Sequence, residues 1–506
     1  MPIRMSGMVS GMDTESIVAE LMKAQRMKLT KIENKKTVME WKQEKWKALN
    51  TKLYSFYTGS LSKLKAEGSY QTKKASSNDE SKATITTSNI AAIGSHSLSI
   101  EKLASSQFVT GNKLDASVTG STLLKDLSIG VAEGNKIVIN AGTAKEKSIE
   151  IKDTTTVSDL VKTMRDAGLN ANFDTTHKRF FISSKESGYD NAFTLSTEGT
   201  VDLSRLGLGE ITTTTDAEGV VTVSSTSDIK IVQPSDAKIL YNGVSLTSSS
   251  NNISVNGLNI TLKEMTEQPI SITVANDTQA VYDMVKGFIK TYNELLTEMN
   301  TYYQAESTRG FDPLTSEQKE AMTDDEIEKW ETKIKDSLLR RDSNLSSLID
   351  TLRTTMSGAV SYNGKNYALS SFGIGSLNYT EKGVLHIKGD IEDSAVAAEE
   401  NKLMNALTED PDKVMTVLTG LANQLYASFS KSMTSNSMRS ALTLYNDKEM
   451  ANQIKSYKKD MATLEAKLND MESRYFKQFT AMETAMSKLN SQSASLASMM
   501  GFGNQK

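Results

Sequence analysis

Residues 450–500 read MANQIKSYKKDMATLEAKLNDMESRYFKQFTAMETAMSKLNSQSASLASMM, and the apolar positions of this stretch decide the fold of the chain's ends. They recur at alternating steps of four and three, which is the spacing of a coiled-coil seam. Two successive steps of four, Met471 to Tyr475 and Tyr475 to Phe479, form a stutter that locally unwinds a left-handed supercoil. Because no proline follows Pro411, the pattern predicts one continuous helix of about 75 Å, which needs a partner helix to cover its seam.

The amino-terminal end of the chain offers this partner. Asp13 is a typical helix N-cap, and Glu15 favours the positive end of the helix that follows. Helical periodicity continues to Leu64, but one of its two heptad lines, from Met22 to Tyr57, is polar in the middle. A polar middle weakens a symmetric dimer and suits a helix packed among several others. We therefore expect the first and last helices to pair within one chain.

Between residues 72 and 274 the pattern is that of β-structure. Short runs rich in Thr, Ser, Val and Ile alternate with turn residues. The Asn-Gly steps at 242–243 and 256–257 predict hairpins, because a type I′ turn requires positive φ at both central residues. One short helix is expected at 157–167. The region is too long for one small sheet, so we expect two antiparallel modules.

Helical spacing returns at Thr278. Capping boxes that begin at Thr315 and Thr323 each predict the start of a helix, as does the N-cap and proline pair Asp410-Pro411. Before that pair, the stretch after Met356 is rich in Gly and Ser and is expected to be extended, ending in a strand at 383–387.

These patterns predict an α+β multidomain protein, in which long terminal α-helices form a coiled-coil leg, a helical domain adjoins it, and an antiparallel β region of two modules is inserted. The predicted domains are a terminal coiled-coil domain with flexible tips (1–45 with 460–506), a helical leg domain (46–85 with 276–459) and a β-rich insertion (86–275), whose modules span about 86–125 with 232–275 and about 126–231.

Composition excludes several classes of function. The chain has 506 residues and a net charge of −4, which argues against a nucleic-acid binder, and the lysines of the first helix alternate with glutamates as on a solvated face. It has no cysteine, which excludes disulfides and thiolate catalysis. No apolar run of about 18 residues predicts a membrane span. The first residues lack the apolar core of a Sec signal peptide.

The sequence offers no constellation of residues for catalysis. Its three histidines, His96, His177 and His386, lie far apart and outside metal-binding motifs. The glycine pairs at 207–209 and 373–375 lack the third glycine and the strand–helix context of a dinucleotide-binding loop. We predict no catalytic, cofactor-binding or metal-binding residue, and no enzyme activity.

Four stretches of the chain are motif-like. They are SGMDTESIVAELM at 10–22, TEKGVLHI at 380–387, NALTEDPDKV at 405–414 and RYFKQFTAMETAMSKLN at 474–490. In this order they resemble the amino-terminal, helical-domain and carboxy-terminal coil signatures of the flagellar filament-capping (flagellar hook-associated protein 2) family. The segment 311–342 is similar to one found in capping proteins of Gram-positive bacteria. The β insertion matches the family least.

The resemblance implies a structural assembly factor that caps the distal end of the bacterial flagellar filament, promotes flagellin folding and insertion, and is needed for filament elongation and motility. The implied partners are further copies of this chain in a ring-like homo-oligomer, taken as a pentamer, together with flagellin, the hook–filament junction proteins and a flagellar export chaperone. No cofactor, nucleic acid or membrane partner is implied. The implied route is secretion through the flagellar type III apparatus to the extracellular filament tip.

Two alternatives stay open from the sequence alone. One is a surface-exposed adhesin that binds host mucin or glycans through its Ser/Thr-rich β modules. The other is a free-standing coiled-coil scaffold in the cytoplasm, against which the ordered resemblances count.

The candidate site lies on the terminal helices, where polar positions such as Ser493 leave the last part of the seam weak. Such weak apolar faces suit exchangeable contacts with other helices. The stutter at Phe479 would mark the joint between a rigid leg and this weak tip. The predicted coiled-coil and filament interface consists of Ile17, Leu21, Leu29, Ile32, Met39, Leu464, Leu468, Phe479, Met482, Met486, Leu489 and Leu496.

Overall fold

A computed structural model describes residues 13–130 and 132–499. The predicted flexible tips lie, at 1–12 and 500–506, outside the described residues. The chain divides into two compact units: a helical unit formed by the chain up to Tyr70 and from Thr278 onward, and a β unit formed by Gln71–Asp277. The predicted α+β multidomain fold class is confirmed.

The described residues form ten α-helices. They are α1 Thr14–Thr58, α2 Ser60–Lys65, α3 Val157–Asp166, α4 Thr278–Tyr303, α5 Ser316–Glu320, α6 Asp324–Asp336, α7 Ser343–Met356, α8 Lys402–Glu409, α9 Pro411–Ser432 and α10 Asp447–Met499.

One large hydrophobic core holds the helical unit together. It is formed by α2, α4, α7, α8 and α9 with the second half of α1 and the start of α10. Phe56 lies at its centre, with its ring 5.5 Å from that of Phe288 on α4 and 6.2 Å from that of Phe429 on α9. These aromatic contacts join three helices that are far apart in sequence.

The helix starts that were predicted from caps are confirmed. The Asp13 side chain accepts the Ser16 N–H, and the Asp410 side chain accepts the Lys413 N–H. Thr315 and Thr323 each form the reciprocal pair of hydrogen bonds of a capping box. Local side-chain chemistry thus determines where these helices begin.

The first helix is shorter than its periodicity predicts. Helical spacing continues to Leu64, but α1 ends at Thr58 and α2 begins at Ser60. Between them Gly59 has φ −96° and ψ −100°, and a Cβ at this position would lie 2.7 Å from the Ser55 carbonyl oxygen. Glycine permits this break because it has no side chain to meet the preceding turn.

The strands of the described residues all pair antiparallel. They are β1 Lys73–Ser77, β2 Ala83–Thr87, β3 Gly94–Lys102, β4 Phe108–Thr110, β5 Lys136–Ile139, β6 Lys147–Glu150, β7 Leu169–Asp174, β8 Arg179–Ser184, β9 Leu195–Glu198, β10 Ile211–Thr215, β11 Val221–Ser225, β12 Lys230–Val232, β13 Ala237–Tyr241, β14 Val244–Ser248, β15 Asn252–Val255, β16 Leu258–Leu262, β17 Ile270–Asn276, β18 Ala359–Tyr362, β19 Lys365–Ala368, β20 Ile374–Gly375 and β21 His386–Ile387.

The β unit has two hydrophobic cores. The sheets β1-β17-β3-β13-β14 and β15-β16-β2 enclose the first core. The sheets β11-β10-β9-β5-β6 and β12-β4-β8-β7 enclose the second with α3, whose inner face is formed by Leu160, Val161 and Met164. The hairpins at the Asn-Gly steps are present as β13–β14 and β15–β16.

Two boundaries differ from the predicted ranges. Residues 71–85 were assigned to the helical leg domain, but they belong to the β unit because β1 pairs with β17 and β2 with β16. The second core already includes Val109, so the first module does not extend to residue 125. Both errors have the same cause, since a strand's module depends on partners that are distant in sequence. The division of the leg at 45/46 stays a prediction, and α1 is continuous across it.

The Gly- and Ser-rich stretch after Met356 is more ordered than its sequence suggests. A third Asn-Gly step, at 363–364, closes the two-stranded hairpin β18–β19. The strand predicted at 383–387 shortens to His386–Ile387, which pairs with Ile374–Gly375. Gly383 instead adopts a φ of 96° in the turn that precedes it.

Candidate functional site

The two terminal helices, α1 and α10, pair within the chain in antiparallel directions. Near one end of the pair, the Asn50 side chain accepts the Leu444 N–H at 2.8 Å. Farther along, the Arg26 guanidinium lies 3.4 Å from the Glu472 carboxylate. Since both helices rise equally per residue, the first turn of α1 faces α10 near Thr484.

The base of the pair is part of the large helical core. The Trp46 ring is fully buried and stacks on the Tyr445 ring at 5.5 Å, with 6° between the ring planes. Leu444, at the entry to α10, is 2% exposed. The end of the pair that lies at the helical core is therefore fixed by burial and by the hydrogen bonds of Asn50.

Farther from the base, a small separate cluster holds the two helices together. Its buried members are Val18 and Met22 on α1 and Leu468 on α10. Half-buried apolar side chains pack around them, namely Leu29, Met471, Tyr475, Phe476 and Phe479. So small a cluster stabilises the pair much less than the large core does.

The predicted interface residues fall into two groups. Leu468 is buried, and five others are half-buried: Leu29, Ile32, Met39, Leu464 and Phe479. Of these, Met39 packs on the large core, whereas Leu29 and Phe479 pack on the small cluster. The structure leaves the remaining six exposed: Ile17, Leu21, Met482, Met486, Leu489 and Leu496. We call these six the exposed tip residues.

The exposed tip residues follow helical spacing. Ile17 and Leu21 are one turn apart on α1, and Met482, Met486 and Leu489 follow each other at steps of four and three on α10. Each helix therefore carries neighbouring apolar side chains along one face. On α10, Leu489 and Leu496 are more exposed, at 64% and 57%, than Met482, at 37%. Scattered exposed apolar residues are normal, but a row at helical spacing suits contact with another helix.

Sequence reasoning missed part of the true seam. Val18, Met22, Leu29 and Ile32 recur with Gln25 at steps of four, three, four and three, which is the spacing of a coiled-coil seam. The sequence prediction instead places Ile17 and Leu21 in the interface, and both lie on an exposed face. The interruption by the polar Gln25 hides the pattern, although Gln25 is itself half-buried. On α10, Phe476 was missed because it lies off the main line, beside the stutter.

Charge at the start of α1 is fixed by the cap. The Asp13 carboxylate accepts hydrogen bonds from the Ser16 hydroxyl at 2.6 Å and the Ser16 N–H at 3.0 Å. These hydrogen bonds lower the pKa of Asp13, so the carboxylate stays charged at the positive end of the helix dipole. The Arg26–Glu472 ion pair is largely exposed and adds at most about 1 kcal/mol.

Within residues 13–130 and 132–499, no group of three His, Cys, Asp or Glu side chains could hold a metal ion. No helix in the same ranges is long and apolar enough to cross a bilayer.

Comparison with known proteins identifies two matching regions. The family model described as "Flagellar hook-associated protein 2 N-terminus" matches residues 10–107, and the one described as "Flagellar hook-associated protein 2 C-terminus" matches residues 234–491. The segment 108–233 lies between the two matches and coincides with the second β core. The segment lies within the β insertion, which is the part of the chain that resembles the family least.

Individual relatives match over almost the whole chain. A flagellar hook-associated protein 2 of Halalkalibacterium halodurans is 26% identical, covering 98% of this chain and 99% of that protein. One of Escherichia coli is 23% identical, covering 97% and 96%. The crystal structure of the D1-D2-D3 domains of the flagellar cap protein FliD from Escherichia coli matches with a TM-score of 0.53 and 20% identity, covering 78% of this chain and 96% of that one. That likeness supports the fold.

These similarities do not support the adhesin alternative. The two family models match the two ends of the chain in the expected order, and these matches include the helical unit and the first β core. The relative from Halalkalibacterium halodurans matches over nearly the full length. The chain belongs to the flagellar hook-associated protein 2 family.

Proposed function

We propose that this chain caps the distal end of a flagellar filament and promotes the folding and insertion of flagellin there, so that the filament elongates and the cell swims. Membership of the family supports the capping role. The observation that carries the mechanism is the row of exposed tip residues on α1 and α10.

The mechanism rests on the unequal packing of the two terminal helices. At the base, Trp46 is fully buried, while Leu489 and Leu496 on α10 are 64% and 57% exposed. Burying a leucine side chain completely is worth about 1.5–3 kcal/mol, so a partner helix that covers these residues gains a few kcal/mol. Contacts of that strength form and break readily. A cap that must release each newly inserted subunit needs contacts of this kind.

The partners follow from the same proposal. The tip residues would bind helices of flagellin, and further copies of this chain would complete a ring-like homo-oligomer, with a pentamer as the expected ring. Export through the flagellar type III apparatus would require a chaperone and passage by the hook–filament junction proteins, and would place the cap outside the cell. No cofactor takes part.

The test removes the exposed apolar surface from the end of α10. In a strain that carries the double variant Leu489→Ser and Leu496→Ser, we expect loss of swimming and monomeric flagellin in the medium. The matched control is Val232→Ser on β12, because Val232 is also 57% exposed but lies in the β unit. That strain should swim normally.

Folding of the variants is checked on purified protein. All variants should keep the helix content and melting temperature of the wild type, because exposed side chains contribute little to stability. If the double variant folds, is exported, and supports normal swimming without leakage of flagellin, the proposed role of the tip residues is wrong.

A further inference from the structure

The chain has three Asn-Gly steps, and all three form the same kind of turn. Asn242, Asn256 and Asn363 have φ of 49°, 47° and 50°, and the glycine that follows each has φ between 76° and 81°. Each pair closes a two-residue hairpin loop, as a type I′ turn does. Backbone conformation alone therefore does not distinguish the three sites.

Asn-Gly steps share a spontaneous reaction. The glycine amide nitrogen attacks Cγ of the asparagine side chain, a C–N bond forms, and ammonia leaves to give a cyclic succinimide. Water then opens the ring at either carbonyl and yields aspartate or isoaspartate, so the net change consumes one water and releases one ammonia. The reaction needs a free side-chain amide and a backbone that can rotate into the geometry of attack.

The amide of Asn242 is held in place. Its Oδ1 accepts the Ser97 N–H at 2.8 Å, and its Nδ2 lies 3.2 Å from Nδ1 of His96. The Asn242 N–H also donates to the Ser97 carbonyl at 2.9 Å. The turn closes β13–β14 in a five-stranded sheet. Attack at this site requires the loss of several hydrogen bonds first.

In the second Asn-Gly pair, Asn256-Gly257, it is the glycine that is constrained. The Gly257 carbonyl accepts hydrogen bonds from the N–H and the hydroxyl of Ser88, at 2.8 and 3.1 Å. A Cβ on Gly257 would lie 2.7 Å from the Ala91 N, which shows how closely the 88–91 loop packs against it. Rotation of the peptide after Asn256 is therefore hindered by backbone on both sides.

The third Asn-Gly pair, Asn363-Gly364, has neither a held side-chain amide nor a closely packed glycine. Asn363 and Gly364 are exposed, and no side-chain hydrogen bond of Asn363 occurs in the described part of the chain. A Cβ on Gly364 would have no atom within 4 Å, whereas a Cβ on Gly257 would meet the backbone of Ala91. The hairpin β18–β19 is a two-stranded sheet with four paired residues on each strand. A two-stranded hairpin opens more readily than strands in a larger sheet.

We propose that Asn363 is the principal deamidation site of this protein, and that the fold protects Asn242 and Asn256. The product changes the helical unit locally. An isoaspartate adds one methylene to the backbone of a turn that requires two residues with positive φ, so the hairpin loses its register. Val360 of β18 packs on Gly420 of α9, where a Cβ would lie 2.8 Å from its Cγ1. Loss of the turn loosens this contact.

The experiment compares the three sites within one molecule. Full-length protein is incubated at mildly alkaline pH in buffer and, separately, in concentrated urea, and peptide mapping by mass spectrometry follows conversion at each asparagine. In buffer, Asn363 should convert about tenfold faster than Asn242 or Asn256, which corresponds to about 1.4 kcal/mol less cost of local opening. In urea the three rates should approach each other, because only the fold separates them.

A variant gives an independent measurement. Asn363→Gly keeps a residue that tolerates the positive φ but has no amide to lose, so most of the early release of ammonia from the folded protein should disappear. The proposal would be overturned if Asn242 or Asn256 converted in buffer as fast as Asn363 or faster. The proposal would also be overturned if the three rates kept the same order and the same ratios in urea, because the flanking sequence and not the fold would then determine the rate at each asparagine.

Discussion

Replacing Met22 by alanine should loosen the helix pair far more than replacing its neighbour Leu21. Met22 is 2% exposed and lies in the small cluster with Val18 and Leu468, whereas Leu21 is 44% exposed, beside that cluster's line on α1. The two substitutions remove side chains of similar size from adjacent positions of one helix. They differ in whether the side chain is covered by α10.

The magnitude follows from this burial. Truncation of a buried Met, Leu or Ile to alanine costs about 2–5 kcal/mol. We expect the lower end, about 2 kcal/mol, because only three members of the cluster are buried and the half-buried ones can move into the space. For Leu21→Ala we expect less than about 0.5 kcal/mol, since surface changes are small and alanine favours helix.

Hydrogen exchange measures this local effect, because global melting is dominated by the large helical core. In full-length protein, Met22→Ala should speed amide exchange across the first turns of α1 by about thirtyfold, the equivalent of 2 kcal/mol, while Leu21→Ala changes it little. Leu468→Ala should speed the same amides, and the double variant with Met22→Ala should fall short of the sum. Equal acceleration by Leu21→Ala and Met22→Ala would refute the assigned seam.

Three further perturbations test other parts of the helical unit. Asn50→Ala leaves the buried Leu444 N–H without its acceptor, and should lower the free energy of unfolding by about 2 kcal/mol, measured in denaturant; an unchanged midpoint would contradict the contact. Leu442 has φ 62°, so Leu442→Gly should stabilise the protein by up to about 1 kcal/mol, seen as a raised melting temperature. Burial alone would raise the pKa of Asp393, but the hydrogen bonds with His386 and with the Ala395 N–H, together with neighbouring positive charge, outweigh it and lower that pKa below 3.8. The stabilisation by Asp393 is therefore complete above that value and is lost as pH falls through the lowered pKa, so the difference in melting temperature between wild type and Asp393→Asn should shrink in acid; a constant difference would speak against this.

The helix ends and hairpins were predictable because their causes are local. An N-cap acts on the N–H groups of the next turn, as Asp13 and Thr323 do, and an Asn-Gly step determines its own hairpin. The third hairpin, at Asn363, carried the same signal. It was missed because the stretch around it is rich in Gly and Ser.

The module boundaries and half of the site were not predictable for the opposite reason. β1 pairs with β17 across some two hundred residues of chain, and no local property of Lys73–Ser77 predicts that pairing. In the same way, the two heptad lines of α1 are each interrupted by polar residues, so periodicity alone does not tell which face meets α10. The choice between Ile17 and Val18 depends on the position of Leu468, far away in sequence.

The packing of the terminal helices explains why their interface resists prediction from one sequence. A seam that is satisfied within the chain shows itself by unbroken apolar repeats, as at the base around Trp46. Toward the tip, apolar side chains lie both between the helices, as Met22 does, and on their outer faces, as Leu489 does. A helix that has to meet two sets of partners must spread its apolar residues around more of its circumference, and this weakens every single periodic line. The mixed pattern on α1 and α10 is thus the sequence feature expected of helices that pair with each other and also keep apolar surface for a further partner.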